Sequence, residues 1–422
     1  MGHPTLLVQL LVILVVSRAV SWALRWLGQP PVIGEMITGL LLGPIVFGAM
    51  APTWQGALFA PSSLGGLNSL STIGLVLFMF IVGAELRFPS GARRQMRDAS
   101  YVGGFSVLLP AVLGLCIAPM LYAGYAPKGI DFWPFAMFIA VSVAITALPV
   151  MARILKDRHL TQSEPGQLAI AAAAVTDVFA WVALALVVAL ISAHGNWAPF
   201  WRTCIGLAVV VAAGLGVLRP LLVRWLAHRA PDGRPANTLL AILLAGAIAF
   251  AAVTDWLGLH AVFGAFLFGL CLPRDDRLLH SLIERIEHVA VLVLLPIFFV
   301  LSGLNTTPNM LTGGAGLAMA AVLAVAIVGK VLGGLAGARL AGRSWRTSLA
   351  VGSLMNARGL MELIVIKVGL DIGAIDQRMY TILLIMAILT TVMTTPMVLA
   401  FTQRVGANET ANKVTPDSRP HQ

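Results

Sequence analysis

The sequence predicts an all-α integral membrane protein of about thirteen transmembrane helices, built as an inverted repeat in which two helices are broken. Three observations lead there. Hydrophobic residues make up 59% of the 422, and charged residues 11%, a balance that no soluble domain has. Lys and Arg collect in every second loop. Two apolar runs are interrupted by proline, glycine and polar residues at corresponding places of the two halves, the strongest sequence pointer to a membrane site at mid-depth. The formal charge of +10 does not argue for nucleic acid, because the basic residues fall in short loops and form no single stripe. Cys116, Cys204 and Cys271 lie in apolar runs, fit no disulfide or metal spacing, and read as small apolar fillers.

The spans run roughly over 5–26, 32–51, 68–86, 100–123, 132–155, 166–192, 200–227, 236–254, 257–273 (short), 287–304, 314–341, 347–369 and 377–403. All but the short ninth match the length needed to cross a hydrocarbon core about 30 Å thick, for which about 20 residues suffice. No basic stretch precedes the first apolar run, so it reads as a membrane helix and not as a removed signal. Residues 405–422 read as a short polar tail.

Loops after odd-numbered spans carry Arg87, Arg93, Arg94 and Arg97; Arg153, Lys156 and Arg158; Arg229 and Arg234, with Arg219 and Arg224 just before; Arg274, Arg277 and Arg285; and Arg343 and Arg346. Loops after even-numbered spans carry only Lys128, Arg202 and Arg378. The alternation puts the N-terminus outside and the C-terminus in the cytoplasm, on this reading across a bacterial inner (plasma) membrane.

The fifth span contains Ser142-Val-Ala-Ile-Thr146-Ala-Leu-Pro149-Val-Met151, and the twelfth Gly352-Ser-Leu-Met-Asn356-Ala-Arg358-Gly-Leu-Met-Glu362. Pro149 removes a backbone hydrogen bond and clashes with the preceding turn. Broken backbone at membrane depth is tolerated only where it is buried or lines a cavity. The two breaks are seven spans apart, which makes them counterparts if spans 1–6 and 8–13 are repeats of opposite orientation.

Asp177 is the only ionisable residue in the run from about Leu168 to Ile191, directly after the first break. A carboxylate there costs at least about 2.5–3.5 kcal/mol, so it faces water, a partner or a ligand. It can hold a proton or a small cation, and the competition between them is the physical basis of antiport. Thr146, Thr176 and carbonyls freed at the break are hard oxygen ligands suited to an alkali ion. Lys330 sits mid-span; snorkelling and a functional or pairing role are both open. Arg358 and Glu362, four apart, read either as a mutual ion pair holding the twelfth span together or as part of the ion site. Glu35 either faces the ion pathway or sits at an interface. Arg18 reads as snorkelling inward, and Asp255 and His260 as interfacial. No phosphate loop, catalytic triad or metal-ligand cluster is present in the sequence, so neither an enzyme nor an ATP-driven pump is supported, and no cofactor is called for.

Six stretches resemble the monovalent cation:proton antiporter-2 family, the Kef-type and plant CHX-type sodium/proton exchanger domain: QPPVIGEMITGLLLGP (29–44), LVLFMFIVGAEL (75–86), AITALPVMARIL (144–155), GLHAVFGAFLFG (258–269), LPIFFVLSGL (295–304) and MNARGLMEL (355–363). The resemblance implies the antiporter fold with crossed broken helices, occupying 1–404. A core of 100–192 and 314–404 would move against a dimer domain of 1–86 and 236–304, with 200–227 as a linker helix. It implies a homodimer in lipid, Na⁺ or K⁺ and H⁺ as the transported species, and Asp177 as the residue that binds them. The chain departs from the family pattern at Thr176-Asp177, where other branches carry Asp-Asp or Asn-Asp. The lysine that pairs with the first acid of the two-aspartate branch is nevertheless matched by Lys330. The large cytoplasmic regulatory domain of Kef-type and CHX-type proteins has no match in these residues.

The resulting expectation is alternating-access, electroneutral exchange of Na⁺ or K⁺ for H⁺. Three rivals belong to other classes. A cation channel or uniporter would lack proton coupling, which a titratable group at a broken-helix site argues against. A sodium-coupled organic-anion symporter on a related fold would need an anion site beside the sodium sites. A transport-inactive sensor would need an output domain, against which the short tail argues.

Overall fold

The computed structural model describes residues 6–85, 93–192, 197–229, 237–257, 261–273, 276–308 and 315–402. The loop residues Arg87, Arg234 and Arg274, His260 and the tail 405–422 lie outside these.

The chain enters through α1 (Leu6–Arg25) and turns into α2 (Pro31–Leu42). Two short helices, α3 (Phe47–Met50) and α4 (Pro52–Leu58), lead to α5 (Leu64–Glu85). Then come α6 (Arg93–Tyr125), α7 (Phe132–Ala144), α8 (Leu148–Asp157) and α9 (Glu164–Ser192). α10 (Trp197–Ala213) passes through a π turn into α11 (Arg219–Arg229), followed by α12 (Asn237–Trp256), α13 (Ala261–Leu270) and α14 (Asp276–Val289). A second π turn, Ala290–Leu294, joins α14 to α15 (Leu295–Leu304). The chain closes with α16 (Ala315–Leu340), α17 (Trp345–Met355), α18 (Leu360–Asp371) and α19 (Gln377–Thr402).

The described residues form no strand. By length and composition ten helical runs can cross a membrane, and the pair α17–α18, bent by 43°, makes eleven. α7 and α13 are apolar but shorter. They stand where the fifth and ninth spans were expected, so length and composition alone do not reach the count of thirteen. The expected second span, 32–51, is matched by the candidate span Pro31–Met50, which is divided into α2 and α3 at Gly43-Pro44. Gly43 precedes Pro44 and is extended, φ −77° and ψ 178°, because the proline ring excludes helical backbone in the residue before it.

The helices pack in two sets. α6 to α9 pack with α16 to α19, and α1, α2 and α5 pack with α12 to α15. α10 lies along α9. The principal direct packing between the sets is α2 on α19.

The most extensive pair is α6 with α16, and its closeness comes from small residues. A Cβ added at Gly337 would stand 2.5 Å from the Tyr101 carbonyl oxygen, and one at Gly329 would stand 2.7 Å from Pro110 Cα. Within lipid, where no hydrophobic drive joins helices, such a stripe lets backbones approach and gain dispersion contact.

Prolines inside helices explain two long-range bonds. A proline lacks the N–H that would reach the carbonyl four residues earlier. Pro296 thereby frees Leu292, whose oxygen accepts from Arg18 Nη2 at 2.9 Å. Arg18, expected to snorkel, is held by this carbonyl. Pro396 frees Val392, whose oxygen accepts from Gln29 Nε2 at 3.3 Å. In hydrocarbon each freed carbonyl needs such a partner.

Candidate functional site

The two interrupted spans meet. α7 ends at Ala144, residues 145–147 are extended, and α8 begins at Leu148. The interruption precedes Pro149 by several residues. Pro149 lies in the first turn of α8, where its missing N–H is needed by no partner and its fixed φ suits a helix start. α17 ends at Met355 and α18 begins at Leu360. Ala147 N–H donates to the Ala357 carbonyl at 3.0 Å, tying one break to the other.

Each helix end at the crossing leaves carbonyls without intrahelical donors, and each is served from the other half of the chain. On α7, the Ser142 and Val143 carbonyls accept from Arg358 Nη1 and Nη2 at 3.1 and 2.5 Å. The Ala144 carbonyl accepts from Lys330 Nζ. Cations at a helix C-terminus also suit its dipole. On α17, the Met355 carbonyl accepts from Thr146 Oγ1 at 3.4 Å. Lys330 Nζ also donates to Thr146 Oγ1 at 2.6 Å. Lys330 is fully buried and therefore does not snorkel.

Arg358 stands in the break and not on a helical face. It reaches forward to Glu362 in the first turn of α18, Nη1 lying 2.9 Å from both carboxylate oxygens. Both side chains have no exposed surface. Glu362 is thus paired and also sits at the positive end of α18.

α9 packs against α7, α8 and α17 and carries Thr176 and Asp177, 2% and 0% exposed. The Thr176 hydroxyl turns back on its own helix and donates to the Ala173 carbonyl at 2.9 Å. Asp177 differs from every other charged group at the crossing. Neither of its carboxylate oxygens has a hydrogen-bond partner among the described residues. The field of Lys330 reaches it, but the described residues hold no ion pair between the two. Ser142 Oγ and Asn356 Oδ1 are also buried and unpartnered. Buried polar atoms are normally satisfied, and a buried carboxylate with both oxygens unpartnered is suited to take a proton or an alkali cation. The described residues hold no group of three His, Cys, Asp or Glu that could bind a metal ion.

Sequence reasoning missed the supports on α19. Thr391 Oγ1 accepts the Arg358 N–H at 3.0 Å and lies 2.8 Å from the Arg358 carbonyl. Asn356 Nδ2 donates to the Thr390 carbonyl at 3.1 Å. The signal was present as Thr390-Thr391 and Thr394-Thr395 in an apolar span.

A cavity of about 550 Å³ lies between the two sets of helices. Glu35 of α2, Arg153 of α8 and Glu287 of α14 line it, and it reaches Leu148 and Leu360, the first residues after the two breaks.

Comparison with known proteins places the chain among relatives of one kind. Residues 11–401 match the family described as sodium/hydrogen exchanger, transmembrane. The chain is 37% identical over 401 residues to cation/H(+) antiporter 17 of Arabidopsis thaliana, covering 94% of this chain and 48% of that one. It is 35% identical over 395 residues to the Na(+)/H(+) antiporter NhaS4 of a Synechocystis strain, covering 93% and 96%. To the K(+)/H(+) antiporter 1 of Saccharomyces cerevisiae it is 34% identical over 402 residues, covering 93% and 46%. The chain therefore spans about half the length of the plant and yeast relatives it matches. Among solved structures, the sodium proton antiporter MjNhaP1 from Methanocaldococcus jannaschii at pH 8 superposes with a TM-score of 0.63 at 18% identity, covering 96% of this chain and 97% of that one.

Proposed function

The chain belongs to the sodium/hydrogen exchanger family, and from that premise we propose that it is a secondary-active antiporter exchanging Na⁺ or K⁺ for H⁺ across a membrane. One observation carries this reading: a fully buried Asp177 with both oxygens unpartnered, beside a crossing of broken helices where every other charge is engaged. The relatives' printed activities, Na⁺/H⁺ and K⁺/H⁺ antiport, support it.

The mechanism follows from the donors. Protonated, Asp177 is neutral and tolerates its dry surroundings. Deprotonated, it needs a counter-charge, which an alkali cation supplies together with oxygens such as those of Thr146 and Thr176. In the present arrangement Thr146 Oγ1 is occupied by Lys330 Nζ, so cation entry requires Lys330 to release it. One free carboxylate offers one charge, and Thr176 stands where a second acid would be. The exchange is then one cation for one proton, and electroneutral.

The set α6–α9 with α16–α19 acts as the moving core, and the set α1–α5 with α12–α15 as the dimer domain of a homodimer in lipid. α10 and α11 form the linker. The basic loop ends face the cytoplasm, with the N-terminus outside, in a bacterial inner membrane.

The test is proton release from acidified proteoliposomes on adding Na⁺, K⁺, Li⁺ or Rb⁺ in turn. Release is expected with Na⁺ or K⁺ and not from the Asp177→Asn protein. No release with any of the four overturns the reading.

A further inference from the structure

Beside the turn that joins α1 to α2, on the side of the basic loops, lies a smaller cavity of about 170 Å³. That is below the roughly 300–1,000 Å³ of sites for drug-sized ligands, so it admits a small group. Both sets of helices line it. Arg25, Gly28 and Gln29 come from the end of α1 and the turn after it, Asp157 and Arg158 from the end of α8, and Thr395 from α19. Two permanent cations thus face one carboxylate. Arg158 already crosses the seam, its Nη2 donating to the Gly28 carbonyl at 2.5 Å, and a guanidinium has further N–H donors to offer.

The buried wall of the cavity holds polar atoms with nothing to bond. Thr390, Thr391 and Thr394 of α19 donate back to carbonyls of their own helix at 2.8, 2.7 and 2.9 Å. Thr395 does not. It is 3% exposed, and its Oγ1 has no partner among the described residues. Gln29 gives its Nε2 to the Val392 carbonyl, which leaves a buried Oε1 also unpartnered. A hydroxyl donor beside two guanidinium groups suits the oxygens of a phosphate, and Oε1, an acceptor, suits a hydroxyl on the same ligand. Next to Arg25, Trp22, Trp26 and Leu27 are exposed, the two indoles edge to face with centroids 6.0 Å apart. Tryptophans at a helix end mark the headgroup level of a bilayer, and basic pockets between helices at that level take anionic headgroups.

We propose that this cavity binds a phosphate group, borne by the headgroup of an anionic lipid. Arg25 and Arg158 hold phosphate oxygens, Thr395 Oγ1 donates to another, and Gln29 Oε1 accepts from a headgroup hydroxyl. A ligand held by α1, α8 and α19 at once binds only while the two sets of helices stand as they do here, so it favours this arrangement. The site takes no part in holding the exchanged ion and stands independently of the exchange reading. Free phosphate offers the same oxygens, and the experiment separates the two bearers.

Thermal unfolding of the full chain in neutral detergent is followed against short-chain phosphatidylglycerol, phosphatidylcholine of equal chain length, and inorganic phosphate. Wild type is compared with Arg25→Gln, Arg158→Gln and Thr395→Val, and with Arg346→Gln, an exposed arginine of the same face outside the cavity. Phosphatidylglycerol is expected to raise Tm saturably, and phosphatidylcholine, whose choline charge opposes the arginines, is not. Apparent Kd rises about tenfold in Arg25→Gln and Arg158→Gln, the loss of one charge-assisted contact. It rises by a smaller factor in Thr395→Val, whose lipid-free Tm stays at the wild-type value because the hydroxyl has no bond to lose. Arg346→Gln keeps the wild-type Kd. A saturable rise with inorganic phosphate that the same variants weaken, with phosphatidylglycerol inert, supports the phosphate site and assigns it to the free anion. Equal effects of the two lipids with no phosphate response overturn the site. So does a Kd unchanged in Arg25→Gln and Thr395→Val, or raised as much in Arg346→Gln as in Arg25→Gln. If Arg158→Gln does not fold, having lost its bond to Gly28, the Arg25 and Thr395 variants decide.

Discussion

Glu362 and Asp177 are both carboxylates with no exposed surface, and their surroundings are opposite. Glu362 has both oxygens 2.9 Å from one Arg358 nitrogen and lies at the N-terminal end of α18. Asp177 has neither oxygen bonded, and the nearest acting charge, Lys330, is engaged elsewhere. Burial alone therefore does not single out a working carboxylate. A buried charge whose partners are all present is part of the scaffold. A buried charge with its valences open is available to a ligand, and the scaffold around it bears the strain of leaving it so.

The contrast can be broken most directly at Asp177. Asn keeps the shape and removes the exchangeable charge, so Asp177→Asn is expected to abolish exchange. Its expression and thermal unfolding should match wild type, since no bond is lost. Normal turnover in this variant would sink the assignment.

The second test is on the paired carboxylate. Glu362→Gln or Arg358→Ala strands one charge in a dry site, a loss of about 3–5 kcal/mol. Lower expression and a clearly lower Tm are expected, with the apparent cation affinity of the surviving protein little changed. A stable Glu362→Gln protein with strongly shifted affinity would move Glu362 into the ion site and erase the difference.

A smaller effect is expected one layer out. Thr391→Val leaves the Arg358 N–H buried without an acceptor, which costs about 1–3 kcal/mol. A fall in Tm smaller than that of Glu362→Gln, with exchange retained, fits Thr391 as a support of the break; loss of exchange at unchanged Tm does not.

The last test expects no effect. An imposed potassium–valinomycin potential, worth about 2.3 kcal/mol per charge per 100 mV, should not drive Na⁺ flux through a carrier with one open carboxylate. Potential-driven uptake that disappears in Lys330→Gln would instead make Lys330 a second proton carrier.

The sequence shows which residues are buried better than it shows what they touch. Asp177 is legible because one acid in a long apolar run needs no partner to be noticed. The two interruptions are legible because glycine, proline and polar side chains are costly at that depth. The partners of Lys330 are not legible. They are a carbonyl and a hydroxyl 186 and 184 residues away, and a carbonyl carries no residue identity. What is not legible is where inside Ser142–Met151 the backbone opens. Pro149 marks where a helix is able to begin, and the extended residues lie before it. Thr390 and Thr391 were passed over because threonine in a membrane helix most often bonds back to its own helix, as Thr176 does.

The Val392 carbonyl vacated by Pro396 has one more consequence. Gln29, which fills it, belongs to the turn between α1 and α2, while Val392 belongs to α19, so the bond spans the seam between the two sets of helices. At 3.3 Å it is a long bond that water can replace without leaving the carbonyl bare. If the two sets shift against one another as proposed above, the seam there is a detent, in which one 3.3 Å bond gives one position a shallow preference.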